Sequence, residues 1–233
     1  MGIHVKGFLA RMKYHPNDQT RHRDKNRGYE RQEGMKKGPH RRLVILRQAA
    51  KIFHERGYMA SSLRELAQHC GIQGASIYHH FSSKQDILHE IMDYTMTTLI
   101  ERLKETIEGV EDPLEKLDRA IRFHIQYHIN NPHITHVTDT ELRSLKAEYL
   151  EHVIRKRDEY EGFFHGMLTE SVAAGLIKVD NIPLTRMAIL QMCTAVTIWF
   201  REDGPLAVDQ VAEVYAQFIR RAVAGRVKSP GKT

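Results

Sequence analysis

Cysteine is almost missing: Cys70 and Cys193 are the only two in 233 residues, and they lie far apart in apolar surroundings. A disulfide framework is therefore excluded, and the pair reads as reduced thiols that pack like small core residues. No stretch alternates apolar and polar residues in the manner of a strand, and no segment repeats, which removes sheet proteins and solenoids. The N-terminus lacks an apolar leader with a small-residue cleavage site. The most apolar run, residues 187–200, is broken by Gln191 and reads as too short to span a bilayer, so the expectation is a cytoplasmic protein with no membrane partner. There is also no nucleophile motif, no glycine loop to cradle a phosphate and no carboxylate placed to orient a histidine. Enzymatic chemistry and a cofactor are left without support.

What is present is positive charge, unevenly placed. Residues 1–42 carry 12 Lys and Arg against 4 Asp and Glu, so most of the net charge of +6 belongs to the N-terminal segment. Residues 43–84 add Arg47, Lys51, Arg56, Arg64 and Lys84 against Glu55 and Glu65. Such a field suits a polyanionic partner, although lysines and arginines scattered for solubility give the same count. Residues 1–38 have no apolar periodicity to offset the entropy of ordering them and read as a flexible basic tail. Within it, Gln32-Glu33-Gly34 can be encoded by a purine-rich, ribosome-binding-like stretch, which makes Met35 a second candidate start.

From residue 39 the pattern is helical. Leu43, Leu46, Ala50 and Phe53 recur at three- and four-residue intervals until Gly57. Ser62-Leu63-Arg64-Glu65 is a capping box before the stripe Leu63, Leu66, Ala67 and Cys70, and Gly71 ends that second, short helix. A third short helix restarts at Ile72 and runs through Tyr78. Ser82 or Ser83 then caps a fourth that carries Ile87, Leu88, Ile91, Tyr94 and Leu99. Asp112-Pro113 opens another helix, stopped by Asn131-Pro132. A shorter segment spans residues 134–144, and a long helix follows to Gly175. Residues 183–200 and 208–223 are apolar on several faces, as expected of helices that meet a second subunit. The class is all-α. It divides into a tail (1–38), a three-helix module (39–84), a larger helical domain (85–225) and a C-terminal tail (226–233).

Two short helices joined by a glycine turn, the second opening with small and polar residues, form the layout that lets a helix enter the major groove. Gln73 and Ser76 can reach base edges, and Gly74 and Ala75 permit close approach. Tyr78, His79, His80 and Lys84 are placed for phosphate or base contact, and Arg42, Ser62 and Arg64 complete the expected DNA-facing set. Ile77 and Phe81, four apart, should face inward and anchor the helix. An ordinary tight helical bundle shares the same pattern.

The stretch "SSLRELAQHCGIQGASIYHHFSSKQDIL" resembles the DNA-binding domain of the TetR family of transcriptional regulators. The match covers roughly residues 41–88: the Gly71-Ile72 turn, the small residue before Ser76-Ile77, the Tyr78-His79-His80-Phe81 run and Ser83-Lys84. The resemblance implies a homodimeric regulator, usually a repressor, bound to double-stranded operator DNA. The last two helices would form the dimer interface, and a small-molecule effector would bind inside the C-terminal bundle. "TDTELRSLKAEYLEHVIRKRDEYEGFFHGMLTESVAAGLI" and "TAVTIWFREDGPLAVDQVAEVY" are similar to family members that control fatty-acid and steroid-ring catabolism, whose effectors are acyl-CoA thioesters. Such a ligand needs an apolar tunnel, for which Phe123, Tyr127, Phe164, Met167, Leu168 and Trp199 are candidates, and a cation for its phosphates, Arg143 or Arg122. Each of these residues also has a plain core or surface reading. Another apolar or aromatic effector is the nearest alternative, and an enzyme acting on acyl-CoA lies outside the class.

Fifteen histidines occur, and His124, His128, His133 and His136 have ligand-like spacing for a divalent ion. No cysteine or acidic residue joins them at short range, and chance pairs are common in so histidine-rich a chain. The expectation is no metal.

Overall fold

The computed structural model describes residues 37–224, with side chains from residue 41 onward. The basic tail up to residue 36, the second candidate start and the C-terminal tail lie outside the described residues, while residues 37 and 38, expected in the tail, begin a helix. Among the described residues, 42–224 form one compact unit. Residues 37–41, the first turn of the opening helix, fall outside that unit.

Every regular element among the described residues is helical. In chain order they are α1 (Lys37–Arg56), α2 (Leu63–His69), α3 (Gly74–Ile77), α4 (Lys84–Ile107), α5 (Pro113–Asn130), α6 (Pro132–Thr140), α7 (Ala147–Ala173), α8 (Ile182–Thr194), α9 (Val196–Trp199) and α10 (Val208–Val223). A 3-10 turn, Leu142–Ser144, joins α6 to α7.

Local chemistry sets most boundaries. Ser62 Oγ accepts from Glu65 N at 3.2 Å, and Ser83 Oγ from Asp86 N at 3.1 Å, each satisfying a first-turn donor. Asp112 caps α5 ahead of Pro113, and Asn181 caps α8 by accepting from Leu184 N at 2.9 Å. Glu65, expected to close the capping box, instead pairs with Arg56. Gly71 ends α2 at φ +62°, with Gly71 N bonded to Gln68 O and Ile72 N to Ala67 O, the double closure that favours glycine.

Two apolar cores result. One gathers α1, α2, α3 and the first half of α4 around Ile45, Phe53, Leu66, Ile77, Phe81 and Leu88, and it also takes in Ile134, Val137, Leu145 and Val153. The other joins the second half of α4 to α5, α7, α8, α9 and α10. A sequence division at residue 84 therefore cuts through the first core, because α6 and the start of α7 help to fill it.

Residues 187–200 correct an expectation about length. The longer span Ile182–Trp199, 18 residues with mean hydropathy 1.3, is long and apolar enough to cross a membrane by length and composition, and only 17% of it is buried. It is two helices, α8 and α9, broken at Ala195; Ile189, Leu190, Cys193 and Val196 face the second core, while Leu184, Met187, Ile198 and Trp199 face outward.

Candidate DNA-reading and effector sites

The third helix is a single turn whose inner residue is fully enclosed. Ile77 is 0% and Phe81 2% exposed, as their spacing predicts, which fixes α3 against α1 and α4. With that anchor in place Gln73, Gly74, Ala75, Tyr78 and His79 face solvent, and Ser76 and His80 are half-buried. Tyr78 is 61% exposed, unusual for so large an apolar ring. A Cβ built on Gly74 meets no atom within 4 Å, so nothing inside the chain requires glycine there. Ser62 and Arg64 are exposed one helix earlier, with Ser62 already engaged as the α2 cap.

Two residues of the expected DNA-facing set, Lys84 and Arg42, make bonds inside the protein. Lys84 Nζ donates to Tyr58 O at 2.8 Å, Ser61 O at 2.8 Å and Met59 O at 3.3 Å, and sits 4.3 Å from the centre of the Tyr58 ring. An ammonium has three protons, and here all three have acceptors. Lys84 thereby clamps the α1–α2 turn, with burial pulling its pKa down. Arg42 binds both carboxylate oxygens of Glu90 and the His80 carbonyl, and its guanidinium lies 4.2 Å over the Phe81 ring. Glu90 raises the Arg42 pKa. Arg42 thus braces the end of the reading helix from behind.

The expected effector residues divide. Tyr127, Phe164, Met167 and Leu168 are buried in the second core and Phe123 packs against it. Trp199 is 40% exposed and stacks on Tyr215. Arg143 is exposed on the 3-10 turn, whose neighbours Leu142 and Leu145 belong to the other core, so it does not join the rest. Arg122 is paired with Glu213 at 2.8 Å. An open groove of about 280 Å³ lies beside Met167, between the end of α4, the start of α5 and α7, where Gly162 and Gly166 leave room and Lys116, Glu159 and Glu170 stand at the wall. Lys104 covers Phe163 nearby.

The four spaced histidines separate into two groups. His124 and His128 lie with ring centres 4.0 Å apart, their planes tilted by 31°. His124 Nδ1 meets Tyr160 Oη and its Nε2 meets Thr194 Oγ1, both at 3.0 Å, a polar link through α5, α7 and α8. Burial, and His128 beside it, hold the His124 pKa well below the usual imidazole range. His133 and His136 instead contact His54 of α1. Tyr160 and Thr194 had no signal in the sequence, since partners from three helices carry no shared spacing.

Comparison with known proteins decides the family. Residues 45–91 match the family described as bacterial regulatory proteins, tetR family, and residues 110–223 match the tetracyclin repressor-like C-terminal domain. A TetR-family transcriptional regulator, PfmR from Thermus thermophilus, is 34% identical, with a TM-score of 0.70 over 76% of this chain and 97% of that one. This chain belongs to the TetR family. It is similar to the transcriptional repressor KstR2 of Mycolicibacterium smegmatis, 28% identical over 77% of this chain and 88% of that protein. It is likewise similar to the fatty acid metabolism regulator protein of Bacillus subtilis, 29% identical over 72% and 88%. The structure of AibR in complex with isovaleryl coenzyme A and operator DNA is 25% identical, with a TM-score of 0.71 over 76% of this chain and 97% of that one. The TetR-family chain is a DNA-binding transcriptional regulator and not an enzyme. Its N-terminal helix-turn-helix and C-terminal helical domain are those the sequence resemblance implied.

Proposed function

We propose that this regulator is a repressor that reads its operator with the outer edge of α3 and is released by an acyl-CoA thioester. The observation that carries the DNA half is the row Gln73, Gly74 and Ala75, exposed on a helix whose inner residues are fully buried. Gln73 is the residue suited to a base edge, Gly74 and Ala75 let backbone approach backbone, and Ser76, Tyr78, His79 and His80 follow along the same rim. Arg64, with no burial to restrain it, supplies phosphate contact from α2, while Arg42 and Lys84 act by holding the reading head together. An operator protein works where the chromosome is, which places it in the cytoplasm.

The dimer interface is read from α8 and α10. Leu184 is 57% and Phe218 59% exposed, and with Met192 and Ile219 they line an apolar groove of about 350 Å³. Apolar side chains of that size left in water on two adjacent helices suit a second copy packed as a four-helix interface. Two reading heads then fall in successive major grooves about 34 Å apart. An effector shifts that spacing only through different affinities for the two dimer geometries.

The acyl-CoA reading rests on relatives named for fatty-acid metabolism and for bound isovaleryl coenzyme A, and on the groove beside Met167, where Lys104 and Lys116 are paired with Glu159 and Glu170 and would have to exchange those partners for the ligand's phosphates. At about 280 Å³ the groove holds an acyl chain rather than a whole thioester, so the nucleotide would lie outside it. The experiment is a gel shift with the DNA upstream of the gene, repeated with acyl-CoAs of increasing chain length. Release by a thioester supports the proposal. Release only by free aromatic or apolar compounds refutes the ligand class, and failure to bind the DNA in preference to competitor refutes the operator reading.

A further inference from the structure

Where α4 leaves the reading head, it carries His89 and Asp93, four apart and so on one face. His152 of α7 lies opposite them. One ring nitrogen from each histidine and one Asp93 oxygen lie within 4.8 Å of one another. His152 Nε2 is 2.6 Å from Asp93 Oδ1. His89 Nε2 is closed off from solvent with no hydrogen-bond partner, an expensive state for an imidazole nitrogen. The ring is held in place by Tyr149, stacked on it at 4.4 Å and 21°, whose hydroxyl donates to Asp86 Oδ1 at 2.7 Å. Asp93 already attracts a cation: Lys156 Nζ lies 2.5 Å from Oδ1 and also donates to Thr97 Oγ1.

We infer that His89, Asp93 and His152 form a binding site for a divalent transition metal that ties α4 to α7. Two imidazoles and one carboxylate suit zinc and its neighbours rather than magnesium or calcium, which prefer all-oxygen shells. Three protein ligands leave a fourth position for water or a small donor. At zinc–ligand distances of about 2.0–2.2 Å, ligand atoms stand about 3.3 Å apart, so the set closes from its present spread by small side-chain rotations. On binding, the metal takes over Asp93 Oδ1 from Lys156, which keeps Thr97 as a partner, and it fills the empty valence of His89. The site is independent of the effector groove and of operator contacts. It fastens the helix that begins at the Lys84 clamp to the helix that lines the groove.

The test uses the full chain stripped with chelator, titrated with zinc in competition with a chromophoric chelator, and with cobalt(II) for its visible bands. The expected result is one ion per chain in four-coordinate geometry. His152→Ala and Asp93→Asn, both on partly exposed side chains, should each weaken binding at least tenfold with an unchanged circular dichroism spectrum. His69→Ala should leave binding unchanged. Lys156→Met removes the competing ammonium and should tighten binding severalfold. Zinc affinity and stoichiometry that are the same in His152→Ala and Asp93→Asn as in the parent overturn the site, as does a Lys156→Met variant that binds no better. Operator binding is not the readout, so the result stands or falls apart from the effector proposal.

Discussion

Replacing Lys84 with methionine separates two roles that the same residue could have. Methionine keeps most of the stem's packing against Tyr58 but removes the charge that holds three carbonyls of the α1–α2 turn. A hydrogen bond from a charged donor contributes about 1.5–3 kcal/mol. Three bonds from one ammonium are not additive, one is long at 3.3 Å, and the group is part-exposed, so the loss should be about 2 kcal/mol. For a chain of this size each kcal/mol lowers Tm by about 2–4 °C, giving an expected fall of about 4–8 °C. The companion measurement is operator affinity against salt. If each chain gave up one bond to a phosphate, the slope of log K against log salt would become shallower by about 0.9 per chain. The clamp predicts a lower Tm with the salt slope unchanged and affinity reduced only by loosening of α2 and α3. An unchanged Tm with a shallower slope would refute it and restore the phosphate role.

Gln73→Ala should relax preference at one base pair, at a cost of about 1–3 kcal/mol in competition against single-substituted operators. Gly74→Leu has open space within the protein, so thermal stability should hold or rise while operator affinity falls at least tenfold in a gel shift. Phe218→Glu places a carboxylate on the α10 face and should shift sedimentation towards monomer without unfolding it. Acid should destabilise the effector core. The His124 pKa is depressed in the fold, so below about pH 6.5 the unfolded chain binds more protons, and stability falls as pH drops by up to about 1.4 kcal/mol per unit. Urea midpoints between pH 7.5 and 5 measure this, and His124→Gln should flatten the dependence.

Boundaries governed by neighbours in the chain were legible: Ser83, Asp112-Pro113, Asn131-Pro132 and Gly71 each satisfy or break a local backbone bond, and the helices start and stop beside them. The inward pair Ile77 and Phe81 was legible for the same reason. What escaped were partners distant in sequence. Lys84 looks like any basic residue near a reading helix, because the carbonyls it binds have no side-chain signature. The Arg42–Glu90 pair and the His89, Asp93 and His152 cluster join residues far apart along the chain. The expected effector residues share an apolar character that suits a filled core as well as a tunnel, and the fold puts most of them in the core.

The first core's dependence on Ile134, Val137, Leu145 and Val153 bears on protein engineering. A chimera that grafts residues 39–84 onto a foreign sensor would separate Phe53, Ile77 and Phe81 from Ile87, Leu88 and the other side chains they pack with. Transplanting this reading head intact means carrying α6 and the start of α7 with it. The natural cassette for building a new biosensor is therefore discontinuous, and a linear splice at the end of the helix-turn-helix is the wrong place to cut.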